Sequence, residues 1–152
     1  MKTLIALISL LVVINSASAQ FNVAALYGFG VEINSNLDYE LYQTSITVVP
    51  QFQFGKFYVA NQTTSLISDV STRFYSGLKL GYEFYSKTDE SGVKDWSLNG
   101  TVHGLIGTEG SKLPGAGVEF RSEHVSLDFQ ISQEYKNKSA VLILSLGYFL
   151  MQ

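Results

Sequence analysis

The stretch RFYSGLKLGYEFYS, Arg73 to Ser86, sorts its residues at a period of two. One parity carries Phe74, Leu78, Leu80, Tyr82 and Phe84; the other carries Arg73, Tyr75, Gly77, Lys79, Gly81 and Glu83. Side chains alternate across a β-strand, so this pattern separates two environments, one oily and one able to hold charge. The same alternation recurs along the chain. FNVAALYGFGVEI sets Phe21, Val23, Ala25, Tyr27, Phe29, Val31 and Ile33 against Asn22, Gly28, Gly30 and Glu32. YQTSITVVPQFQF sets Ile46, Val48, Pro50, Phe52 and Phe54 against Gln43, Ser45, Thr47, Gln51 and Gln53. Pro50 lacks a ladder donor, which predicts a bulge or a strand edge there. KFYVANQTTSLIS alternates poorly.

Later segments repeat the theme. Trp96, Leu98, Val102 and Ile106 oppose Ser97, Asn99, Thr101 and His103; Ala116, Val118 and Phe120 oppose Glu119 and Arg121. Val125, Leu127, Phe129 and Ile131 oppose Ser126, Asp128, Gln130, Ser132 and Glu134. AVLILSLGYFLM keeps Leu142, Leu144, Leu146, Tyr148 and Leu150 on one parity. Polar clusters at 34–36, 87–95 and 136–139 punctuate the strands as turns or loops. The count is about eight strands, with ten as the alternative. The alternative arises because the polar segment KTDESGVKD, Lys87 to Asp95, falls on the short-turn side of an eight-strand count. Most of the strands are long. Membrane β-strands need about 9–11 residues, whereas strands of globular proteins average about 5–6.

The N-terminus, MKTLIALISLLVVINSASAQ, has Lys2, an apolar run from Leu4 to Ile14 and an Ala17-Ser18-Ala19 site. This is the pattern of a cleaved export signal over 1–19, leaving one domain over 20–152. No second long apolar run follows, so the rest of the chain has no candidate membrane helix. The chain has no cysteine, which removes disulfides and thiolate chemistry. A formal net charge of −3 gives no footing for nucleic-acid binding.

Two solvents explain the sorting. In a soluble β domain the oily parity packs a core and the polar parity meets water. In an antiparallel up-and-down transmembrane β-barrel the oily parity meets lipid and the polar parity faces a lumen. Export, strand length and aromatics near strand ends (Phe84, Trp96, Tyr148) favour the barrel. On that reading Glu32, Arg73, Lys79, Glu83, His103, Glu119, Arg121 and Asp128 form a lumen-facing polar network, with Glu134 on the same parity. Phe74, Leu78, Leu80, Tyr82, Val102, Leu127, Phe129, Leu142, Leu144 and Leu146 face outer-membrane lipid. An eight-stranded barrel has an interior that side chains fill, so an open channel is not expected.

Two chemical constellations compete weakly. His124 and Ser126 share a parity, with Glu134 beyond them, an order that suits a hydroxyl nucleophile, its base and an orienting acid. The context such a triad needs is missing, so no catalytic residue is assigned. His103 and His124 lack a placed third ligand, so no metal is assigned. No cofactor motif is present: YGFG and GAG open no helix and suit the bends of a small barrel.

The segments VVPQFQFGKFYV and GLKLGYEF, followed by a charged loop, resemble the MltA-interacting protein (MipA/OmpV) family of outer-membrane proteins. GVEFRSEHVSLDFQISQEYKNKSAVLILSLGYFL resembles that family's closing strands, although this chain is shorter than usual members. The last strand also resembles a barrel-assembly signal, with Ser145, Gly147, Tyr148 and Leu150 in its key places, but it runs on to Met151-Gln152. The resemblance implies a barrel of the bacterial outer membrane with a scaffolding role, docking peptidoglycan-remodelling enzymes in the best-known branch. Other branches are described as porin-like or adhesive. It carries no catalytic residue.

Overall fold

The structure, a computed structural model, describes residues 19–90, 92 and 94–151, without the side chains of Glu109 and Met151. The expected export signal over 1–19 lies outside the described residues except for Ala19. Eight strands follow in order: β1 (Gln20–Ile33), β2 (Tyr39–Phe54), β3 (Phe57–Ile67), β4 (Thr72–Thr88), β5 (Lys94–Gly107), β6 (Lys112–Ser122), β7 (Val125–Glu134) and β8 (Ser139–Met151). Each pairs antiparallel with the next, and β8 pairs with β1, closing the barrel. The number is eight, and the ten-strand alternative is discarded.

Both chain ends of the barrel lie at one mouth, where Val23 pairs with Met151. The connections there are 55–56, 89–93 and 123–124; those at the opposite, distal mouth are 34–38, 68–71, 108–111 and 135–138. All are short. The polar segment Lys87 to Asp95, expected to be wholly a loop, is strand at both its ends: Lys87 pairs with Trp96 and Thr88 with Lys94. The β4–β5 ladder therefore continues as a polar hairpin rather than stopping with the apolar band. At the distal mouth Asn34 Oδ1 accepts from the Asn36 and Asp38 amides at 2.9 and 3.0 Å, holding the 34–38 turn.

Outside, the barrel is oily. Phe74, Leu78, Leu80, Tyr82, Val102, Leu127, Phe129 and Leu146 are exposed, and Leu142 and Leu144 half-exposed, all on the outer face. Aromatics crowd the terminal mouth, with ring centroids 5.0 Å apart for Phe21 and Phe52, 4.7 Å for Phe57 and Tyr82, and 5.2 Å for Tyr85 and Trp96. Soluble proteins seldom expose so continuous an apolar surface, whereas a barrel in hydrocarbon requires one.

Inside, the lumen that holds the polar parity is not polar throughout. Two apolar clusters fill much of it. Tyr42, Leu66, Tyr75, Leu105, Leu113, Val141 and Ile143 pack together nearer the distal mouth. Ala24, Leu26, Val49, Tyr58 and Ala60 pack along β1–β3 with Phe149. Tyr42 turns inward because β1 and β2 slip register between Gly28 and Gly30: Gly28 pairs with Ser45 but Gly30 pairs with Tyr42. Two residues thus oppose one, and a bulge of this kind reverses the facing of the residues beyond it. Gln43, expected inside, is exposed and donates to Asp69 Oδ2 at 2.8 Å. Pro50 is at neither a bulge nor an edge. The β2–β3 register runs from Val48–Thr63 to Gln51–Ala60, so the ladder is interrupted at two residues on each strand.

Closure depends on a close approach at Gly147, which pairs with Leu26 on β1. A Cβ there would lie 2.2 Å from the Ala25 carbonyl oxygen and 2.7 Å from Leu26 Cα, both backbone atoms that cannot swing aside. Gly147→Val is expected to abolish the folded band of the refolded protein on an unheated gel, whereas Leu150→Val, on the outer face, keeps it.

Candidate functional site

Most of the charged residues expected inside come together there in two groups. The first lies toward the distal mouth. Glu32 at the end of β1 accepts from Tyr42 Oη at 2.5 Å, from Arg73 Nη1 at 2.7 Å and from the Ser139 hydroxyl. One carboxylate thereby ties β1 to β2, β4 and β8. Arg73 also reaches Glu40 at 3.5 Å, a partner that its place at the start of β2 did not announce.

The second group spans the middle. Lys79 on β4 lies 2.6 Å from Asp128 Oδ2 on β7 and 3.8 Å from Glu119 Oε2 on β6. Glu119 accepts from Arg121 Nη2 at 2.8 Å, from Tyr58 Oη at 2.6 Å and from Ser126 Oγ at 2.8 Å. Arg121 donates also to Gln51 Oε1 at 2.8 Å, and its guanidinium carbon stands 4.0 Å from the centroid of the Tyr58 ring. From Asp128 the chain of contacts continues through Gln130, Gln62 and Thr64 to Thr47, at 2.6, 3.0, 3.0 and 3.0 Å. The belt crosses from β6 and β7 to β2.

The arithmetic of charge explains why it holds. Lys79 and Arg121 balance Glu119 and Asp128, and both ends of the Lys79–Asp128 pair are 1% exposed. Isolated buried charges are too costly to keep, whereas paired ones are tolerated; here Asp128 Oδ1 and Arg121 Nε remain without a hydrogen-bond partner among the described residues. The middle of the barrel is therefore full. A polar cup of about 340 Å³, edged by Asn22, Lys94 and Arg121, opens at the terminal mouth. A second of about 270 Å³, edged by Arg73, Glu134 and Asn137, opens at the distal one. The belt and the apolar clusters lie between them.

The other expected residues find other partners. Glu83 pairs with Lys94 near the terminal mouth. His103 Nε2 lies 2.7 Å from Ser132 Oγ inside the barrel. His124 stands in the 123–124 turn, exposed, beside Glu123, and not with His103. Ser126 is inside and bonded to Glu119, while Glu134, at the distal end of β7, accepts from the Asn137 amide at 2.5 Å. The His124, Ser126 and Glu134 constellation is therefore not assembled. No group of three metal-ligating side chains occurs among the described residues. Ser145 and Gly147 face inward, and Tyr148 and Leu150 outward.

Sequence reasoning missed Tyr42 and Tyr58, the two phenols that complete the networks. Tyr58 sits on the strand whose alternation is poor, and its signal is the run Tyr58, Ala60, Gln62, Thr64 and Leu66 on one parity, which mixes the polar and apolar interior.

Breaking the Lys79–Asp128 pair from one side leaves a buried charge. Lys79→Met is expected to cost about 3–5 kcal/mol. Lys79→Met with Asp128→Asn, which restores neutrality, recovers most of that loss. Urea midpoints of the refolded protein in lipid vesicles measure both.

No protein-family model matches the chain, and no curated protein matches it. Among solved structures it is similar to Neisserial surface protein A, with 16% identity and a TM-score of 0.60 over 88% of this chain and 99% of that one. It is also similar to Ail, the attachment invasion locus protein of Yersinia pestis, with 15% identity and a TM-score of 0.51 over 86% of this chain and 97% of that one. At such identities the likeness carries the fold: a closed, eight-stranded, antiparallel up-and-down barrel of the outer-membrane type.

Proposed function

We propose that the chain is a structural barrel of the bacterial outer membrane, exported by its N-terminal signal. It scaffolds envelope machinery and docks peptidoglycan-remodelling enzymes at the terminal mouth, as the resemblance to the MltA-interacting protein family implies. The observation that carries this reading is the combination of an oily outer surface with an interior closed by the Lys79–Asp128–Glu119–Arg121 belt. Such a barrel anchors and orients but does not conduct. A porin-like reading needs an aqueous path, and the belt stands across it.

An adhesive reading draws on the name of one structural neighbour, the attachment invasion locus protein. Adhesion through long outer loops is disfavoured, because the distal connections are only residues 34–38, 68–71, 108–111 and 135–138. The terminal mouth is better furnished for a protein partner. The polar end of the β4–β5 hairpin stands there, with Lys87, Lys94, Asp95, Glu123 and His124 exposed around the polar cup.

The refolded protein is expected to run anomalously on an unheated gel and to shift on boiling. In planar bilayers it is expected to be silent. Immobilised in detergent, it should retain a lytic transglycosylase from envelope extracts, and Lys94→Glu with Glu123→Lys should reduce that retention. A detergent-independent soluble monomer, or steady conductance steps, would overturn the reading.

A further inference from the structure

The third strand is polar on the wrong side. At mid-height the outer faces of the other strands carry Ala25, Ile46, Val48, Leu78, Val102, Val118, Phe129 and Leu144. On β3 the outer face carries Asn61, Thr63 and Ser65, and Ser76 on β4 pairs with Thr63. Asn61, Thr63 and Ser76 form one hydrogen-bonded patch, with Ser65 beside it. Thr63 Oγ1 lies 3.0 Å from Ser76 Oγ; Thr63 and Ser76 both donate to Asn61 Oδ1, at 3.3 and 3.4 Å. The Asn61 amide nitrogen donates to no acceptor among the described residues. The interrupted β2–β3 ladder adds to the patch, because the unpaired positions are Val49 and Pro50 facing Asn61 and Gln62. Pro50 has no N–H to offer.

The depth of the patch is fixed by the strand. Asn61 and Thr63 flank the midpoint of Phe57–Ile67, between the 55–56 turn and the 68–71 turn. Five residues of a strand tilted by about 40° cover about 13 Å along the membrane normal, which is half of an apolar band about 25 Å tall. Polar side chains and unpaired backbone groups at that depth find no partner in acyl chains.

We propose that this face, β3 with the adjoining edge of β4, is a homodimer interface within the membrane. The inference rests on the membrane reading above. A second copy is the occupant that the chemistry selects. The patch is neutral, so it does not attract a charged head group, and head groups lie at the membrane surface rather than mid-depth. Its groups are amide and hydroxyl, and each can both donate and accept. Such a set is self-complementary: about a two-fold axis, the same patch on two copies offers every donor an acceptor, including the free Asn61 amide. Interfaces between membrane segments use the same residue types for the same reason.

The chain has no cysteine, so single cysteines report on the contact cleanly. In lipid vesicles under mild oxidation, Thr63→Cys is expected to form a disulfide-linked dimer. Phe129→Cys, on the outer face of β7, is expected not to. Replacing the patch with Asn61→Leu, Thr63→Val and Ser76→Ala should weaken self-association, followed by energy transfer between labelled copies, by about tenfold. That variant should keep its heat-modifiable folded band. Vesicle flotation of the same samples separates a failure of membrane insertion from a failure to dimerise. Equal cross-linking at positions 63 and 129, or undiminished association of the apolar variant, would overturn the interface. So would protein that floats with vesicles yet stays monomeric.

Discussion

Closure of β8 onto β1 is the constraint on which the remaining architecture depends. Inside hydrocarbon a sheet edge would leave a row of unpaired N–H and C=O groups, so a strand-built membrane protein has to be a ring. Ring closure at eight strands fixes the radius, and the radius leaves a bore only wide enough for side chains. Whatever points inward must therefore pack, and whatever charge points inward must find an opposite charge within that bore. Lys79, Asp128, Glu119 and Arg121 meet both demands. They come from three strands and are joined to β2 and β3 through Gln51, Tyr58 and Gln62. Stability and closure of the bore have the same cause.

The parts of this fold that were legible in the sequence are those where the two faces differ most in polarity. On β4 as far as Glu83, and on β7, alternation assigns residues to a side, and Lys79, Glu83 and Asp128 point inward while Leu78, Leu127 and Phe129 point outward. The pairing of those charges was not legible. Which cation meets which anion depends on stagger around the ring, and stagger leaves no mark on any single strand. Tyr42 was lost for another reason. A bulge opposite Phe29 shifts the parity of β2 at Gln43 and Thr44, and an alternation count carried through such a point assigns one side wrongly. Tyr58 was lost because both faces of β3 mix apolar and polar groups, Tyr58, Ala60 and Leu66 with Gln62 and Thr64 inside and Phe57 and Val59 with Asn61 and Thr63 outside, so its pattern reads as noise.

The interior also shows why polarity alone is a poor guide to a small lumen. Water-filled pores need polar walls, but a plugged bore does not. Leu105 and Leu113 on β5 and β6 are buried inside beside Tyr75, although both belong to the parity that carries His103 and Glu119. The oily inner residues gather toward the distal mouth and along β1–β3, and the ionised ones cross between them. Such an interior resembles a protein core with one ionic layer more than it resembles a channel. Apolar packing fills volume without direction, whereas the ion pairs demand particular partners. The layer therefore fixes how the strands sit against one another, because a one-residue slip of β7 would carry Asp128 to the outer face and strand Lys79.

The third strand is consistent with this division of labour. Because β3 places Tyr58 and Ala60 on its inner face, the apolar cluster with Ala24, Leu26 and Val49 can form, and Tyr58 can reach Glu119 from across the bore. That accounts for the inside of the strand. It does not account for the outside, because nothing in the interior requires Asn61, Thr63 or Ser65 rather than the valine and leucine found at equivalent heights elsewhere. Outward residues at mid-height on the other strands are free to be oily, and apart from Ser76 those named above are. The polar outer face of β3 and the ladder break at Pro50 lie outside what the wall of the barrel explains, and the proposed contact with a second copy would supply hydrogen-bonding groups to them at mid-depth.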